Sequence, residues 1–470
     1  MVKYVIHSHT VQVHPPHKWC DEDRSRLEQT LGFPPIWPID DIDHFTLLVN
    51  GQVHTVSVLW LTRKADQSSS TSYNAATALK KWVEFLVNQR GRWKADERYS
   101  DVMVATEEDY RAFRKHLTEG PDGIGAERWN QYNTALVSFH KHALTEFNVP
   151  LPFGVERFIT RDGQVVQKNN FSIRSRSGSS GTALEPDFVD VFLQAAQRVD
   201  SSGNEHDSDT SNRDLAFIRH QLATGMRRSS VLLTTHYEIP AAPPNNAPFL
   251  EHSVPNATTK NGKGGKGLAF SHHFEAVRAY NQQSHLRSAL VAASIKNHKP
   301  AVPIVIHDAN ETSWRFLDPV TGELKKRFWT LTDADVRRRL VDVDGSSPML
   351  HLVRGGTPMS SRTASRIVTD TTEFARQHVD PDFPEGFREH DLRHTFAVHL
   401  VMSIFHGLVQ NFVDPAEKAF YQPLLIDSAV ATVQHALGHS NPATTGIYTR
   451  QASAQMLAGI PAHRYLGKRN

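Results

Sequence analysis

Four short segments of this 470-residue chain carry side chains that can do chemistry on an anionic group. In chain order they are Thr224-Gly225-Met226-Arg227, the turn Lys260–Lys266, the run His390–Phe396, and Leu437-Gly438-His439 with Tyr448 beyond it. Arginine binds phosphate and carboxylate oxygens through paired N–H bonds, and histidine exchanges protons near neutral pH. A tyrosine oxygen is a nucleophile once its proton has been removed. The set therefore suits attack by a phenol on an anion held by arginines.

The motifs differ in how strongly they indicate function. A Thr-Gly-X-Arg string is common, and a helix interruption beside a surface arginine explains it equally well. The Gly/Lys-rich turn around Lys263 is typical of a hairpin tip, and it is not a P-loop because no Gly-Lys pair precedes Ser or Thr. His390 and Arg393 stand three residues apart and would share a helix face, although a capped helix start has the same pattern. The most distinctive motif is Leu-Gly-His with Tyr448 nine residues after His439.

Together, and in this order, the motifs resemble the signature of the tyrosine-recombinase (phage-integrase) family. That signature is an arginine in Thr-Gly-X-Arg, a lysine in a β-hairpin turn, His-X-X-Arg, Leu-Gly-His and a C-terminal tyrosine. The resemblance covers Leu184 to Tyr448, and residues of about 70–148 are similar to the family's N-terminal core-binding domain. It implies a mainly α fold with a small antiparallel β-sheet: a helical, SAM-like core-binding domain and an α+β catalytic domain.

The resemblance also implies a role for each residue. Arg227 and Arg393 would clamp the non-bridging oxygens of a phosphodiester, and His439 would hydrogen-bond a phosphate oxygen. Tyr448 would attack phosphorus and form a 3′-phosphotyrosyl intermediate, with His390 acting in proton transfer. Neither a metal ion nor a nucleotide triphosphate is implied, and no other cofactor.

A lysine of the hairpin turn would protonate the departing 5′ oxygen. The family's lysine stands some seven residues before the apolar core of the next strand, and counting back from Phe270 selects Lys263. Lys260 is the alternative, in a Thr-Lys-Asn-Gly context, and Lys266 fits a contact with the DNA backbone or a solvated position. One position departs from the family: the acidic residue that often braces the first arginine is replaced by Ser230, and Arg228 is a weaker rival for the clamp.

The partner implied is double-stranded DNA at a specific recombination site, with a homotetramer formed when two sites are held together. The nearest alternative enzyme is a type IB topoisomerase, which uses a similar set of residues but relaxes DNA as a monomer. An alternative from another class is a catalytically silent DNA-binding protein that keeps the fold.

Composition and local patterns predict four parts that position these residues. Residues 1–65 form an N-terminal extension, with a hairpin expected between Phe45 and Leu61 around Asn50-Gly51. Residues 66–165 form the helical domain and 166–182 a Ser/Gly/Arg-rich linker. Residues 183–470 form the catalytic domain with a C-terminal tail.

Apolar residues at helical spacing predict three helices in the first domain. One carries Leu79, Trp82, Val83 and Leu86, the second runs over Glu107–Leu117, and the third runs over Glu127–Phe147 and includes Leu144 in its stripe. Basic residues elsewhere on these segments are candidates for contact with DNA, although an ordinary solvated face would look the same. They are Lys80, Lys81, Arg90 and Arg92, to which the hairpin adds Lys260 and Lys266.

In the second half the sequence predicts an amphipathic helix over Leu184–Val199, preceded by an N-terminal signal at Thr182, and a strand at the end of Val231–Ile239. Two further strands, Phe249–Val254 and Gly267–His272, would flank the lysine turn, and Lys299–Asp344 resembles an insertion or an elaborated connection.

The bulk composition limits the alternatives. Lys and Arg number 52 against 50 Asp and Glu, so overall charge does not by itself indicate a nucleic-acid binder. The single cysteine, Cys20, permits no internal disulfide and fits a reducing, cytoplasmic setting. The DNA partner that the resemblance implies adds an association with the nucleoid. The histidines near it are interpreted as part of an extended arm rather than a metal site. No apolar run in the sequence approaches the ~20 residues that span a bilayer, so no membrane partner is expected.

Overall fold

The computed structural model describes most of the chain, with gaps. The described residues are 11–17, 44–49, 52–53, 55–65, 69–91, 105–120, 123–159, 165–173, 181–206, 209–255, 265–318, 321–410, 414–437, 442–457, 460 and 462–466. The chain divides into an N-terminal unit, Met1–Gly178, and a C-terminal unit, Ser179–Asn470. The division falls inside the segment 166–182 that the sequence marks as a linker.

Where the structure describes it, the N-terminal unit combines short strands with four helices. In chain order these elements are β1 (Val11–His17), β2 (His44–Val49), β3 (Gln52–Val53), α1 (Thr55–Ala65), α2 (Ser69–Arg90), α3 (Glu107–Glu119), α4 (Ala126–Phe147), β4 (Val155–Ile159) and β5 (Val165–Asn169). Strands β1, β2 and β3 form one antiparallel sheet, and β4 pairs with β5.

The predicted stripes form the core of this unit. Trp82, Phe113, Trp129 and Phe139 are completely buried, and Trp82 packs against Phe113 with ring centroids 4.9 Å apart. Because aromatic rings bury large areas, this cluster dominates the packing of the helices. Leu144 does not join it, since 39% of that residue remains exposed.

The hairpin expected between Phe45 and Leu61 is wrong in its second half. Strands β2 and β3 pair with Leu48 opposite Val53, but the chain then enters helix α1. The reason is that the apolar run Val56–Leu61 buries Val56 and Trp60, four residues apart, in the helical core. A short continuous apolar run does not distinguish a strand from a buried helix.

Residues up to Ile173 also belong to the N-terminal unit. The indole N–H of Trp129 donates to the Phe171 carbonyl at 2.8 Å, and the Asn130 side chain bonds both the N–H and the C=O of Ile173. The start of the predicted linker, at residue 166, therefore lies within strand β5 and its contacts.

The C-terminal unit is mainly helical with small sheets. Its elements are α5 (Pro186–Ala196), α6 (Ser211–Thr224), α7 (Arg228–Leu232), β6 (Phe249–Val254), β7 (Gly265–Phe270), α8 (Ser271–Gln283), α9 (His285–Asn297), β8 (Ile304–Ile306), β9 (Asp308–Ala309), β10 (Ser313–Leu317), β11 (Leu324–Phe328), α10 (Ala334–Arg338), β12 (Leu340–Asp342), α11 (Ser361–Phe374), α12 (Glu389–Val409), α13 (Pro415–Ala436), α14 (Pro442–Leu457) and α15 (Ala462–Tyr465). The predicted fold class, mainly α with small β-sheets, is confirmed, although β8 and β12 pair in parallel while β6 with β7 and β9 to β11 pair antiparallel.

Two predicted details of this unit are wrong and one pair of strands is right. Helix α5 begins at Pro186 with Glu185 as its N-cap, not at Thr182, whose amide has a different partner. The strand expected at the end of Val231–Ile239 is a single 3₁₀ turn, His236–Glu238, held by a capping box. Strands β6 and β7 pair antiparallel, as expected.

Helix α12 is the central helix of the unit. Among the described residues it is the one helix long and apolar enough, by length and composition, to cross a bilayer, and 78% of that stretch is buried inside the protein. A core helix has the same composition. Its buried face includes Phe396, Leu400 and Phe405, packed against α13, α14 and α15.

Residues 304–342, inside the predicted insertion, have a small core of their own. Trp314 and Trp329 stack with ring centroids 5.7 Å apart and an interplanar angle of 21°. The buried Arg337 guanidinium binds both carboxylate oxygens of Glu238, at 2.7 and 2.9 Å. Residues 304–342 are thereby fixed to the turn that follows α7.

Candidate active site

The Thr-Gly-X-Arg motif forms the end of helix α6, where the chain changes direction and places Arg227 at the site. The Thr224 hydroxyl donates to the His220 carbonyl and accepts from the Met226 amide. Gly225 then takes a left-handed conformation, with φ 58°, and its N–H closes the last turn on Gln221. A Cβ at Gly225 would lie 2.1 Å from the Phe396 ring, so both conformation and packing require glycine. Arg227 follows in extended conformation as the N-cap of α7.

Arg393 joins three of the motifs. Its side chain is buried, and it donates to the carbonyl of Gly225 and, at 3.2 Å, to the carbonyl of Leu437. It also hydrogen-bonds the Tyr448 hydroxyl. Burial lowers the pKa of Arg393 to about 10, which leaves it charged at neutral pH. A planar, forked donor is needed to reach three acceptors at once.

Tyr448 lies inside the protein on α14, with 2% of the residue exposed. Burial raises the pKa of its phenol, and the positive charges of Arg393 and Arg227 oppose that rise. The phenol is therefore protonated at rest, in a field that favours its anion. Its ring packs edge-on against His394, with centroids 5.4 Å apart.

His390 stands in the first turn of α12, exposed, one helical turn before His394. The two imidazoles meet edge-to-face with centroids 4.6 Å apart. Desolvation, together with the charges of Arg393 and Arg227, lowers the pKa of His390 below its usual value. The neutral imidazole, which can accept a proton, is thus the main form at pH 7.

Arg228 does not compete for the clamp. Its guanidinium forms an ion pair with Glu389, the residue before His390, and hydrogen-bonds Ser365. By contrast, Arg227 has no hydrogen bond or ion pair from its side chain to any other residue in the described part of the chain. Ser230, at the position where the family often has an acid, is buried.

Three predicted residues of the hairpin and the Leu-Gly-His turn fall outside the described residues: Lys260, Lys263 and His439. Leu437, which opens the Leu-Gly-His turn, is described and accepts the bond from Arg393. Lys266 is exposed and forms an ion pair with Glu251 at 2.6 Å across the β6–β7 hairpin.

The four DNA-contact candidates of the N-terminal unit have different surroundings. Lys81 is exposed, and Lys80 pairs with Glu84 at 3.5 Å one turn along α2. Arg90 instead binds the completely buried Asp109 at 2.5 Å and holds the start of α3, which gives it a structural role. Arg92 lies outside the described residues.

In the described part of the chain, no group of three or more His, Cys, Asp or Glu side chains has the geometry to hold a metal ion. Among the described residues, Arg227 and Arg393 supply positive charge near Tyr448.

Sequence reasoning missed His394 and the segment Gly181–Leu184 that covers it. His394 follows Arg393 directly in His-Asp-Leu-Arg-His, so its place in the motif was a usable signal. Nothing in the sequence near Gly181 indicated contact with residues more than 200 positions away.

No protein-family model matches the sequence, and no curated protein matches it. Solved structures are similar to it at low identity. XerH site-specific recombinase bound to difH substrate, a pre-cleavage complex, is 15% identical over 86% of this chain and 88% of that chain, with a TM-score of 0.43. The Tn1549 transposon integrase in complex with transposon right end DNA is 14% identical over 86% and 99%, with a TM-score of 0.43. A lambda integrase dimer bound to a COC′ core site is 12% identical over 84% and 94%, also at 0.43. These are a site-specific recombinase and two integrases.

Proposed function

We propose that this chain is a site-specific DNA recombinase that cleaves and rejoins strands through a 3′-phosphotyrosyl intermediate. The observation that carries the proposal is the convergence of Arg227, Arg393 and the buried Tyr448. Two cations act on one phenol, and one of them, Arg393, is held in place by main-chain carbonyls of two other motifs.

The clamp accounts for binding of the scissile phosphate. A phosphodiester is anionic and resists attack by another oxygen, and guanidinium groups stabilise the charge that develops in the transition state. Arg227 has its donors available for a phosphate, whereas Arg393 is fixed in orientation before the DNA arrives. His439 would add a donor to a phosphate oxygen.

Proton transfer is assigned to His390 and to a lysine. Because burial keeps Tyr448 protonated, its hydroxyl must lose a proton as it attacks, and the lowered pKa of His390 makes its imidazole a suitable acceptor. The departing 5′ oxygen must gain a proton, for which Lys263 is the first candidate and Lys260 the second.

The bonds balance without an external energy source. The bond from phosphorus to the 5′ oxygen breaks as the bond from phosphorus to the Tyr448 oxygen forms. A 5′ hydroxyl of another strand then attacks the phosphotyrosine, restores a phosphodiester and returns the proton to Tyr448. One phosphoester replaces another at each step, so no triphosphate is consumed.

Exchange between two duplexes requires protomers on both, which is the basis for proposing a homotetramer on double-stranded DNA. Lys81 and Lys80 on α2 are the described candidates for phosphate contact by the N-terminal unit. We place the protein in the cytoplasm with the nucleoid, since DNA is its substrate.

The test is Tyr448→Phe, which keeps the ring and its packing but removes the attacking oxygen. The recombination site is first identified by moving the gene with its flanking DNA to a new host and sequencing the joints that form. On that duplex, end-labelled, the wild type should yield a protein–DNA adduct on a denaturing gel. Tyr448→Phe should bind the duplex and yield no adduct; an adduct of undiminished yield would show that the nucleophile is misassigned.

Two other outcomes would replace the proposal. Relaxation of supercoiled plasmid that lacks the site, by the monomer, would indicate a type IB topoisomerase. Binding without any adduct in the wild type would indicate a silent DNA-binding protein.

A further inference from the structure

A short segment at the start of the C-terminal unit lies against the helix that carries His390 and Arg393. The amide of Thr182 donates to the Asp391 carboxylate at 3.0 Å, and the amide of Leu184 donates to the Thr395 hydroxyl at 3.0 Å. Asp391 and Thr395 stand one helical turn apart on α12. The segment Gly181–Leu184, here called the strap, therefore follows one face of that helix.

The same strap also holds the helix that carries Tyr448. The side-chain amide of Gln451 donates to the carbonyl of Gly181, and that of Gln455 donates to the carbonyl of Leu184 at 3.4 Å. Gln451 and Gln455 stand three and seven residues after Tyr448, on the face of α14 that carries the nucleophile. The strap is thus hydrogen-bonded to both catalytic helices.

Gly181 lies so close to the site that any side chain there would displace the side chains of His394 and Asp391. A Cβ at this position would lie 2.1 Å from the Cδ2 and 2.5 Å from the Nε2 of His394, and 2.7 Å from a carboxylate oxygen of Asp391. Its backbone is not left-handed, so a substitution would act through this close packing and not through backbone strain. His394 in turn packs against the Tyr448 ring, and any displacement of His394 would be transmitted to the nucleophile.

We propose that the strap positions Tyr448 for attack, with Gly181 and Gln451 as positioning residues. The inference rests on the proposed function. Gly181 sets the position of His394 against the phenol ring, and Gln451 fixes the rotation of α14. The strap begins three residues after Gly178, where the two units divide. The residues that align the nucleophile therefore follow this division closely along the chain.

The test compares Gly181→Ala and Gln451→Leu with two matched controls. Gly407→Ala adds a Cβ on α12 where nothing lies within 4 Å, and Ser453→Ala changes α14 without touching the strap. A labelled duplex of the identified site, nicked so that cleavage is irreversible, reports the rate of adduct formation. A second duplex carries sulfur in place of the bridging 5′ oxygen, because a thiolate leaves without a proton.

We expect both strap variants to form the adduct about 10²-fold more slowly than the wild type, since a misplacement of about 1 Å has effects of that size. The defect should be equal on the two duplexes, because it lies in the nucleophile and not in the leaving group. Binding of the duplex, measured by gel shift with Tyr448→Phe added to every variant, should change by less than about threefold. Both controls should cleave at the wild-type rate.

Three results would overturn the inference. The first is cleavage by both strap variants at the control rate. The second is a defect relieved by the sulfur substrate, which would place the effect on the leaving group. The third is a loss of rate that only matches a loss of thermal stability or of DNA binding. If Gly181→Ala does not fold, Gln451→Leu, at a half-buried residue, serves as the test of the inference. A wild type that forms no adduct would instead refute the proposed function.

Discussion

Replacing Arg393 by lysine tests the geometry of the site more sharply than removing it. Lysine keeps a positive charge but has a single compact ammonium group, which cannot reach Gly225, Leu437 and the Tyr448 hydroxyl together as the guanidinium does. At least one main-chain carbonyl loses its partner, at about 1–3 kcal/mol if it stays buried. The perturbation therefore separates charge from orientation.

The magnitude for catalysis follows from the number of donors lost. Removing one preorganised donor to a transition-state oxyanion typically costs about 10²–10³ in rate, or ~3–4 kcal/mol. We expect Arg393→Lys to slow single-turnover adduct formation by that factor on the nicked duplex. Binding should change far less, because proteins of this kind hold DNA through many backbone contacts.

A pH series distinguishes the two causes of the loss. Burial disfavours a charged lysine. If Arg393→Lys is slow only because the introduced lysine is uncharged, its rate should recover as the pH falls and the lysine gains a proton. If it is slow because the donors are misplaced, a lower pH should not restore the rate. Arg228→Lys is the matched control: this arginine is adjacent to Arg227 but engaged with Glu389, and its replacement should cost less than about tenfold. Cleavage by Arg393→Lys within tenfold of the wild type, or a larger loss in the control, would refute the clamp described here.

Three further outcomes are expected. Lys263→Ala should slow cleavage of a normal phosphodiester by about 10²–10⁴-fold and recover on the sulfur substrate; equal rates on both substrates would transfer the role to Lys260. Burial lowers the pKa of His252 to about 4, so between pH 6.5 and 4 the unfolded chain binds a proton that the folded chain does not, and stability falls with falling pH. His252→Gln should reduce the slope of the unfolding free energy against pH by the equivalent of about one proton, as measured by denaturant titrations over this pH range. An unchanged slope would contradict the buried neutral imidazole. Arg337→Met leaves the Glu238 carboxylate buried without its cation, and should cost about 3–5 kcal/mol of unfolding free energy, whereas a loss below about 1 kcal/mol would mean that the carboxylate becomes hydrated.

The structure describes four of the six residues that the sequence assigned to the catalytic set, and these four lie near one another. Arg227, Arg393 and Tyr448 meet, and His390 lies beside them. Such residues are predictable because a reaction restricts both the type of side chain and its order in the motifs. Helix stripes such as that of Trp82 are predictable for a similar reason, since burial on one face imposes a period.

What the sequence did not predict depends on contacts between distant positions. Arg90 is a basic residue of the type that contacts DNA. Only the position of Asp109 shows that it forms an ion pair within the N-terminal unit. The run Val56–Leu61 suits a strand and a buried helix equally, and packing decides between them. Gly181 has an ordinary local sequence, and its restriction comes from His394, 213 positions later.

The stacked pair in the inserted segment has a spectroscopic consequence. Trp314 and Trp329 are the only tryptophans of the C-terminal unit, and their rings lie close enough, and nearly enough parallel, for their electronic transitions to couple. An exciton band in the circular dichroism of this unit would therefore originate in residues 304–342 alone. Its loss on heating would report melting of residues 304–342, while the helices around Tyr448 would remain optically silent in that signal and would need a reporter of their own.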